Sequence, residues 1–521
     1  MSDSKKLPFN FSMTMNTQDG VSGEPLQEKR DKPFSIAMMG DFSAHADDAG
    51  QSTIADLNFI EIDRYNFDEV FASMALQLSL SLDQGSATVE VPLQQFKDFH
   101  PDNLYKNVEE FSQLSDLRNR LNNPKTFKQA IEELGLPVQE EPATSQDEVV
   151  TSEKSQMTSN TVELPQDLSG GGLLDAILGE TENNAGISNK TSAANTVTDS
   201  ASKSLVDALV QHIMANKPDT VSRDARQDEL VASVDEKITF LMRSVLHHPQ
   251  FQALEAAWRG VYFMVKRIRD NKVKLYLLDV SRHELAKDLD RDDVTQSQLY
   301  NQFCDTAVGD IDWSLIIGDY RFGVDIDDML ELSQLGIIAQ QAGASFIAAA
   351  DENLVGCSSF AETPKADDWQ YAISEPVAEA WEILRKSAVA KNISLALPRF
   401  MLRMPYGKKT AKVDAFSFEE MTDSPQHEDY LWGNPAFLKA EQIARAFQLS
   451  GWEMEFAKVM NTEDLPLHFY PQNGQTVVKP CAEISLTDNG ASRMITQGLI
   501  PLWSVKNSDR IHSGDFHSIA E

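Results

Sequence analysis

The stretch SVLHHPQFQALEAAWRGVYFMV, Ser244 to Val265, decides how the second half of this chain is read. It holds two adjacent histidines, a proline and an apolar pattern around Trp258. Two helical ligands for one metal usually stand four residues apart, as in H-E-x-x-H, so that both lie on one side. His247 and His248 are adjacent, and adjacent helical residues point about 100° apart. The next histidine, His283, falls on a different predicted element. Pro249 holds His248 in extended geometry and suits the first turn of a new helix. The pair therefore reads as the end of one helix and the entrance to the next, with no metal or catalytic duty. Leu254, Trp258, Val261, Tyr262 and Val265 then share one apolar stripe. Leu254, Trp258, Val261 and Val265 are the expected structural core of that region.

Around this stretch lies a chain of 521 residues, 41% of them hydrophobic. That length allows two or three domains with sizeable cores. There are 80 acidic and 46 basic side chains, a formal net charge of -34. Such a field repels phosphate backbones and anionic headgroups, so nucleic acid and membrane surfaces are poor partners and a basic protein surface is a better one. Cys304, Cys357 and Cys481 are far apart and form no C-x-x-C pair. Neither a disulfide framework nor a zinc site is expected, and sparse cysteine fits a reducing cytoplasm. The opening MSDSKKLPFNFSMTMN lacks the apolar core of a signal peptide. No apolar run approaches the roughly 18 residues that a membrane helix needs.

The walk along the chain predicts a mixed α/β (α+β) protein with two α/β units and a linker. Residues 1–30 read as a disordered arm. Pro33 to Ala44, PFSIAMMGDFSA, reads as a short apolar strand ending in a Gly-Asp turn. Ile60 and Ile62 alternate with acids as on a half-buried strand, and a helix starts near Phe67, capped by Asn66 or Asp63. Leu76 to Leu82 alternates strictly, a further strand, and helices follow the His100-Pro101-Asp102 turn. This first unit spans 31–136. In 137–202 Ser, Thr, Asn, Glu and Gln dominate, the composition of a disordered linker. Within it, GGGLLDAILGE (Gly170 to Glu180) puts Leu173, Leu174, Ile177 and Leu178 at helical spacing. This short helix, near 173–180, reads either as incidental packing or as a docking peptide for a partner groove.

The second unit spans 203–521 and opens with long helices running to Ile268. Val273 to Ser281 and Trp313 to Phe322 read as buried strands. Asp325 to Ala350 reads as helix then strand, which with its predecessor suggests a parallel βαβ crossover. Ile393 to Gly407 is apolar, then basic, then a turn. A last helical stretch surrounds Phe437 to Phe447. No catalytic motif appears. Gly170-Gly171-Gly172 lacks the Lys-Ser/Thr of a phosphate loop, and no G-x-S-x-G elbow is present. Asp319, Asp325, Asp327 and Asp328 lack the glycine and terminal glutamate of a calcium loop and read as an acidic helix start. No cofactor and no metal are expected.

The same residues carry a resemblance. VLHHPQFQALEAAWRGVYFMV is similar to the large sheath subunit of bacterial type VI secretion systems. Matches follow in order: SLIIGDYRFG (Ser314 to Gly323), LALPRFMLRMPYG (Leu395 to Gly407), EDYLWGNPAFLKAEQIARAF (Glu428 to Phe447) with LPLHFY (Leu465 to Tyr470), and GLIPLWSVKNSD (Gly498 to Asp509). The first unit resembles the small sheath subunit through PFSIAMMGDFS, EIDRYNFDEVFASM and FKDFHPDNLYKNVEEFSQLSDLRNRL. The chain thus looks like a fusion of the two. The resemblance implies a non-enzymatic, cytoplasmic building block. In that family small and large subunits pair, stack as six-fold rings around an inner tube, stand on a baseplate and are recycled by a ring ATPase. GGGLLDAILGE resembles the large-subunit helix which that ATPase recognises.

Fusion fixes the pair at one to one and raises its effective concentration. By the same resemblance the large-subunit-like part stops before the family's C-terminal helices and strand. Two readings follow: a sheath subunit that assembles with sheath or baseplate proteins, or an accessory module that caps or regulates the sheath or engages the ATPase.

Overall fold

Phe34–Gly40 (β1) is an unbroken apolar strand, FSIAMMG, and all seven residues are buried. A strand apolar on both sides needs both faces covered, as in a parallel sheet flanked by helices. The computed structural model places it there. It describes residues 32–44, 54, 58–82, 88–134, 223–305, 311–422, 424–472 and 474–521, with backbone alone for 223–226. The expected arm 1–30, the linker 137–202 and its helix with Leu173, Leu174, Ile177 and Leu178 lie outside the described residues.

The chain divides into two compact units, Met1–Asn122 with Val221–Glu521, and Asn123–Thr220. Of the second, residues 123–134 are described; they hold the helix Phe127–Glu133, which buries Phe127, Ala130 and Ile131.

The strands of the first unit, in chain order after β1, are β2 (Ile60–Ile62), β3 (Leu76–Ser81), β4 (Thr88–Leu93), β5 (Val273–Asp279), β6 (Trp313–Phe322), β7 (Ser345–Ala350) and β8 (Ile393–Leu397). There follow β9 (Phe400–Met401), β10 (Trp432–Gly433), β11 (Asn461–Thr462), β12 (His468–Gln472), β13 (Gln475–Lys479), β14 (Ile500–Ser504) and β15 (Ile511–Ser513). Nine of them make one sheet in the order β11-β15-β14-β8-β7-β6-β1-β5-β2. From β14 to β5 every pairing is parallel. The edges are short and antiparallel: β2 on one side, β15 and β11 on the other. Short edges offer little template for stray pairing.

The predicted βαβ crossover is present, with the helix Ile326–Gln341 between the adjacent parallel strands β6 and β7. Its Leu332, Leu335 and Ile338 join Ala37, Met39, Ile316, Phe346 and Leu395 in one core. Successive strand residues face opposite sides, so Ile36 and Met38 point to the other face and are also fully buried. The helix Pro435–Ser450 contacts β5, β6, β7 and β8. Four described α-helices of 203–521 go unread in the sequence: Arg282–Leu289, Gln298–Cys304, Glu375–Lys386 and Asp488–Thr496. The last of them follows the Phe437 stretch, with Thr487 accepting from the Gly490 N–H at 3.3 Å. Its opening Asp-Asn-Gly has the composition of a turn.

Candidate functional site: where the N-terminal segment meets the large sheet

β1 lies between β5 and β6, more than two hundred residues away in sequence. Phe34 pairs with Val273 and Gly40 with Asp279, and on its other side Ile36 pairs with Leu315 and Met39 with Gly318. Both ladders of β1 are thus made with the C-terminal segment. At its end, Asp279 Oδ1 accepts from the Phe42 N–H at 2.7 Å and the Ser43 N–H at 3.2 Å. Gly40 permits a close approach here: a Cβ would sit 3.0 Å from Asp319 Cβ. Burial pushes the Asp319 carboxyl up to about 7, opposed by Asn434. A central strand with two parallel ladders does not leave without breaking the sheet. Residues 1–136 and 203–521, produced as two separate chains in one cell, are therefore expected to co-purify and co-elute. Separate elution on a sizing column would refute this.

Beyond β1 the N-terminal segment closes over the helix Pro249–Arg267. Trp258 is 0% exposed, and its Nε1–H donates to the Phe42 carbonyl at 2.8 Å. Its ring lies 4.7 Å from Phe71, 5.8 Å from Phe42 and 5.9 Å from Phe67, in edge geometries. Edge-to-face pairs of this kind add to plain burial. One turn on, Tyr262 stacks on Phe96 at 4.9 Å, and two turns back Phe251 meets Phe99 at 5.6 Å. Leu254, Val261 and Val265 are 2%, 0% and 3% exposed. Tyr262, read on the same stripe, is 38% exposed and reaches the rim.

The flank of this helix carries charge. Arg403 is buried between Glu255 and Glu420, both 0% exposed. Its Nε donates to Glu255 Oε1 at 2.9 Å, while Nη1 and Nη2 donate to Glu420 at 2.8 and 2.9 Å. Arg259 donates to Glu255 at 2.7 Å and to the Tyr406 hydroxyl at 3.2 Å. The Tyr406 N–H donates to Glu420 at 2.6 Å. Burial alone would raise the Glu420 carboxyl, but Arg403, with His247 and Tyr406, brings it down to about 2. Burial pushes the Tyr406 phenol up to about 12. The N-terminal segment touches this network through His100, whose ring lies 4.9 Å from Tyr406. Asp102 also accepts from the Asp414 and Ala415 N–H groups at 2.9 and 2.7 Å.

His248 is the N-cap of the Trp258 helix: Nδ1 accepts from the Gln250 N–H at 3.3 Å, and Pro249 is the first helical residue. His247 ends the preceding helix Arg223–Leu246, with ring nitrogens 3.5 Å from Glu420 and from Asp429. The two rings thus serve different partners. His248→Ala is expected to cost about 1 kcal/mol, the scale of a lost cap, and to leave zinc and iron content unchanged. Stoichiometric metal that is lost in the variant would overturn the capping role. The acids near residue 325 also serve locally. Asp325 caps the helix through the Asp327 N–H at 3.2 Å, and Asp328 accepts from Arg282 and the Gly323 N–H, both at 2.6 Å. Among the described residues no group of three His, Cys, Asp or Glu is placed to hold a metal.

Residues 228–519 match the family described as "VipB: EvpB/VC_A0108, tail sheath N-terminal domain". The chain belongs to this sheath family. Residues 20–140 match a second family, "Type VI secretion system, VipA, VC_A0107 or Hcp2". A curated relative, the type VI secretion system sheath protein TssC1 of Pseudomonas aeruginosa, is 31% identical over 322 residues, 59% of this chain. The match spans 64% of that relative's length. One chain therefore carries both type VI sheath regions, and the two share a sheet: β1 and β2 come from the VipA-like region, the other seven strands from the VipB-like region.

Sequence reasoning missed the polar interior of this sheath fold. In the sequence Arg403 falls only in the basic part of the stretch Ile393 to Gly407, and nothing singles out Glu255. Lys439, 1% exposed, donates to Gln442, Ser513 and the Gly514 carbonyl at 3.2, 3.0 and 2.8 Å and so holds β15. Burial pushes its ammonium down to about 7, opposed by Asp515. A charged residue inside an otherwise apolar helical stretch, as in NPAFLKAEQ, was the available signal.

Proposed function

We propose that this chain is a structural subunit of a type VI secretion sheath, in which the small-subunit-like and large-subunit-like parts act as one covalent pair. The observation that carries this reading is the buried position of β1 between β5 and β6. The N-terminal region completes the sheet of the C-terminal region, so the unit that assembles is the interlocked pair. It works by packing rather than by catalysis, in the cytoplasm, against other sheath subunits and, at the ends of the sheath, baseplate proteins. The segment Gly170 to Glu180 is assigned to the sheath-recycling ATPase on its resemblance alone. No described helix is long and apolar enough to cross a membrane.

The net charge of -34 sets the conditions of assembly. Identical copies repel, and salt screens that repulsion beyond about 8 Å at physiological strength. The chain expressed alone is expected to give monomers or small oligomers, and to enter larger particles with less acidic sheath or baseplate proteins. Negative-stain microscopy of the chain alone and after co-expression tests both halves. Regular tubes of many rings from the single chain would refute the need for a partner. Absence from every sheath or baseplate fraction would refute the assembly role.

A further inference from the structure

The strand pair β12–β13 ends at Lys479, which lies opposite His468 in the ladder. Among the described residues no carboxylate accepts a hydrogen bond from its ammonium. Nζ lies 3.0 Å from His427 Nδ1, 5.1 Å from the Trp432 ring centroid and 5.3 Å from that of Tyr430. On the far side of the imidazole, His427 Nε2 is 2.9 Å from Glu483 Oε1. Glu483 is 6% exposed and held by Arg399, whose Nε donates to Oε1 at 3.1 Å and whose backbone N–H donates to Oε2 at 3.2 Å. Trp432 Nε1–H donates to the His427 carbonyl at 2.9 Å, and the two rings stack at 5.2 Å. Nothing in the sheath role uses this arrangement.

Its order is that of a nucleophile, a base and an orienting carboxylate. Arg399 and His427 hold the Glu483 carboxyl well below its ordinary range although burial opposes them. An ionised Glu483 accepts from Nε2–H and so fixes the imidazole tautomer. Nδ1 is then left with its lone pair toward Lys479, ready to take a proton. We propose that Lys479 is an acylation site, a reactive amine that takes the acyl group of a small acyl phosphate, with His427 as its base and Glu483 as a positioning residue.

The ammonium first sheds one proton through His427 to solvent. The Nζ lone pair attacks the acyl carbon and the N–C bond forms. The C–O bond to phosphate breaks, and phosphate leaves with that electron pair. The second amine proton passes to His427 Nδ1. The product is a neutral amide, which removes the cation facing Trp432 and Tyr430. Burial also pushes the Lys479 ammonium down to about 8, against Glu483 and Glu428 and with help from Arg399. A larger share of the amine is therefore neutral near pH 7 than for an ordinary lysine near 10.4.

The test treats the full chain with acetyl phosphate and follows each lysine by peptide mass spectrometry. At pH 7 Lys479 is expected to acetylate at least about tenfold faster than the exposed Lys408, the low end of what a positioned base and a larger neutral fraction supply. The ratio falls toward or below one by pH 10.5, where exposed amines also deprotonate. A rate at or below that of Lys408 at pH 7 overturns the proposal. His427→Gln keeps hydrogen-bonding capacity but cannot take the proton, so the pH 7 advantage drops at least about fivefold with the melting midpoint retained. An undiminished advantage in a folded variant overturns the role of His427. If that variant does not fold, the pH profile of the unaltered chain decides the proposal by itself.

Discussion

Trp258→Ala is expected to lower the stability of the sheet-bearing unit by about 3–5 kcal/mol, the usual cost of truncating a fully buried tryptophan. Total stabilities of folded domains run to roughly 5–15 kcal/mol, so the loss is a large fraction of the whole. Two causes combine. The cavity opens among Phe42, Phe67 and Phe71, three rings of the N-terminal segment. The Phe42 carbonyl also loses its indole partner, and an unsatisfied buried acceptor costs about 1–3 kcal/mol. The thermal midpoint should fall sharply, and in the two-chain form the N-terminal fragment should be released more readily. Tyr262→Ala, on the same helix but 38% exposed, should fall much less. Equal midpoints for the Trp258 variant and the unaltered chain would show that the junction is not built around this ring.

Arg403→Met is the second large effect. It removes the cation between Glu255 and Glu420. Glu255 keeps Arg259 at 2.7 Å, so Glu420 becomes the orphan, with His247 at 3.5 Å and one backbone N–H left to it. Breaking a buried pair from one side costs about 3–5 kcal/mol. The pH dependence carries a definite sign. In the unaltered chain the folded Glu420 carboxyl is depressed from 4.5 to about 2. Its stabilising contribution is present above 4.5 and is lost as pH falls toward 2. Without Arg403, burial raises the same carboxyl, so the deficit is largest at pH 7.5 and shrinks as pH falls toward 5. Thermal midpoints at the two pH values measure this. An equal deficit at both would mean that Arg403 is not what keeps the Glu420 carboxyl ionised. Adding Glu420→Gln should restore part of the lost stability at pH 7.5.

Much of the local structure was legible in residue order. The apolar run Phe34–Gly40, the strands Val273–Asp279 and Trp313–Phe322, the crossover helix Ile326–Gln341 and the helix entrance at His248-Pro249 all follow from period, proline and cap chemistry. Each is decided by neighbours within a few residues, through backbone sterics and the spacing of apolar side chains. The resemblance to the two sheath regions was legible for the same reason, since motifs are local strings.

Tertiary structure alone decided where β1 goes. Its seven apolar residues demanded cover on two faces, yet nothing in them names β5 and β6 as partners more than two hundred residues away. Two regions that read as separate units became one sheet because parallel strands pair without a sequence code of their own. The polar interior was settled the same way. Arg403, Glu420, Lys439, His427 and Lys479 look like surface residues in a string, because charge usually seeks water. Arg403, Glu420 and Lys439 are held inside, and His427 and Lys479 half-buried, because chain folding brings distant partners to them: Glu255 to Arg403, Ser513 to Lys439, Glu483 to His427. The sequence determined the elements and their kinship; the meeting of partners far apart in the chain, which only a folded sheet provides, determined the junction.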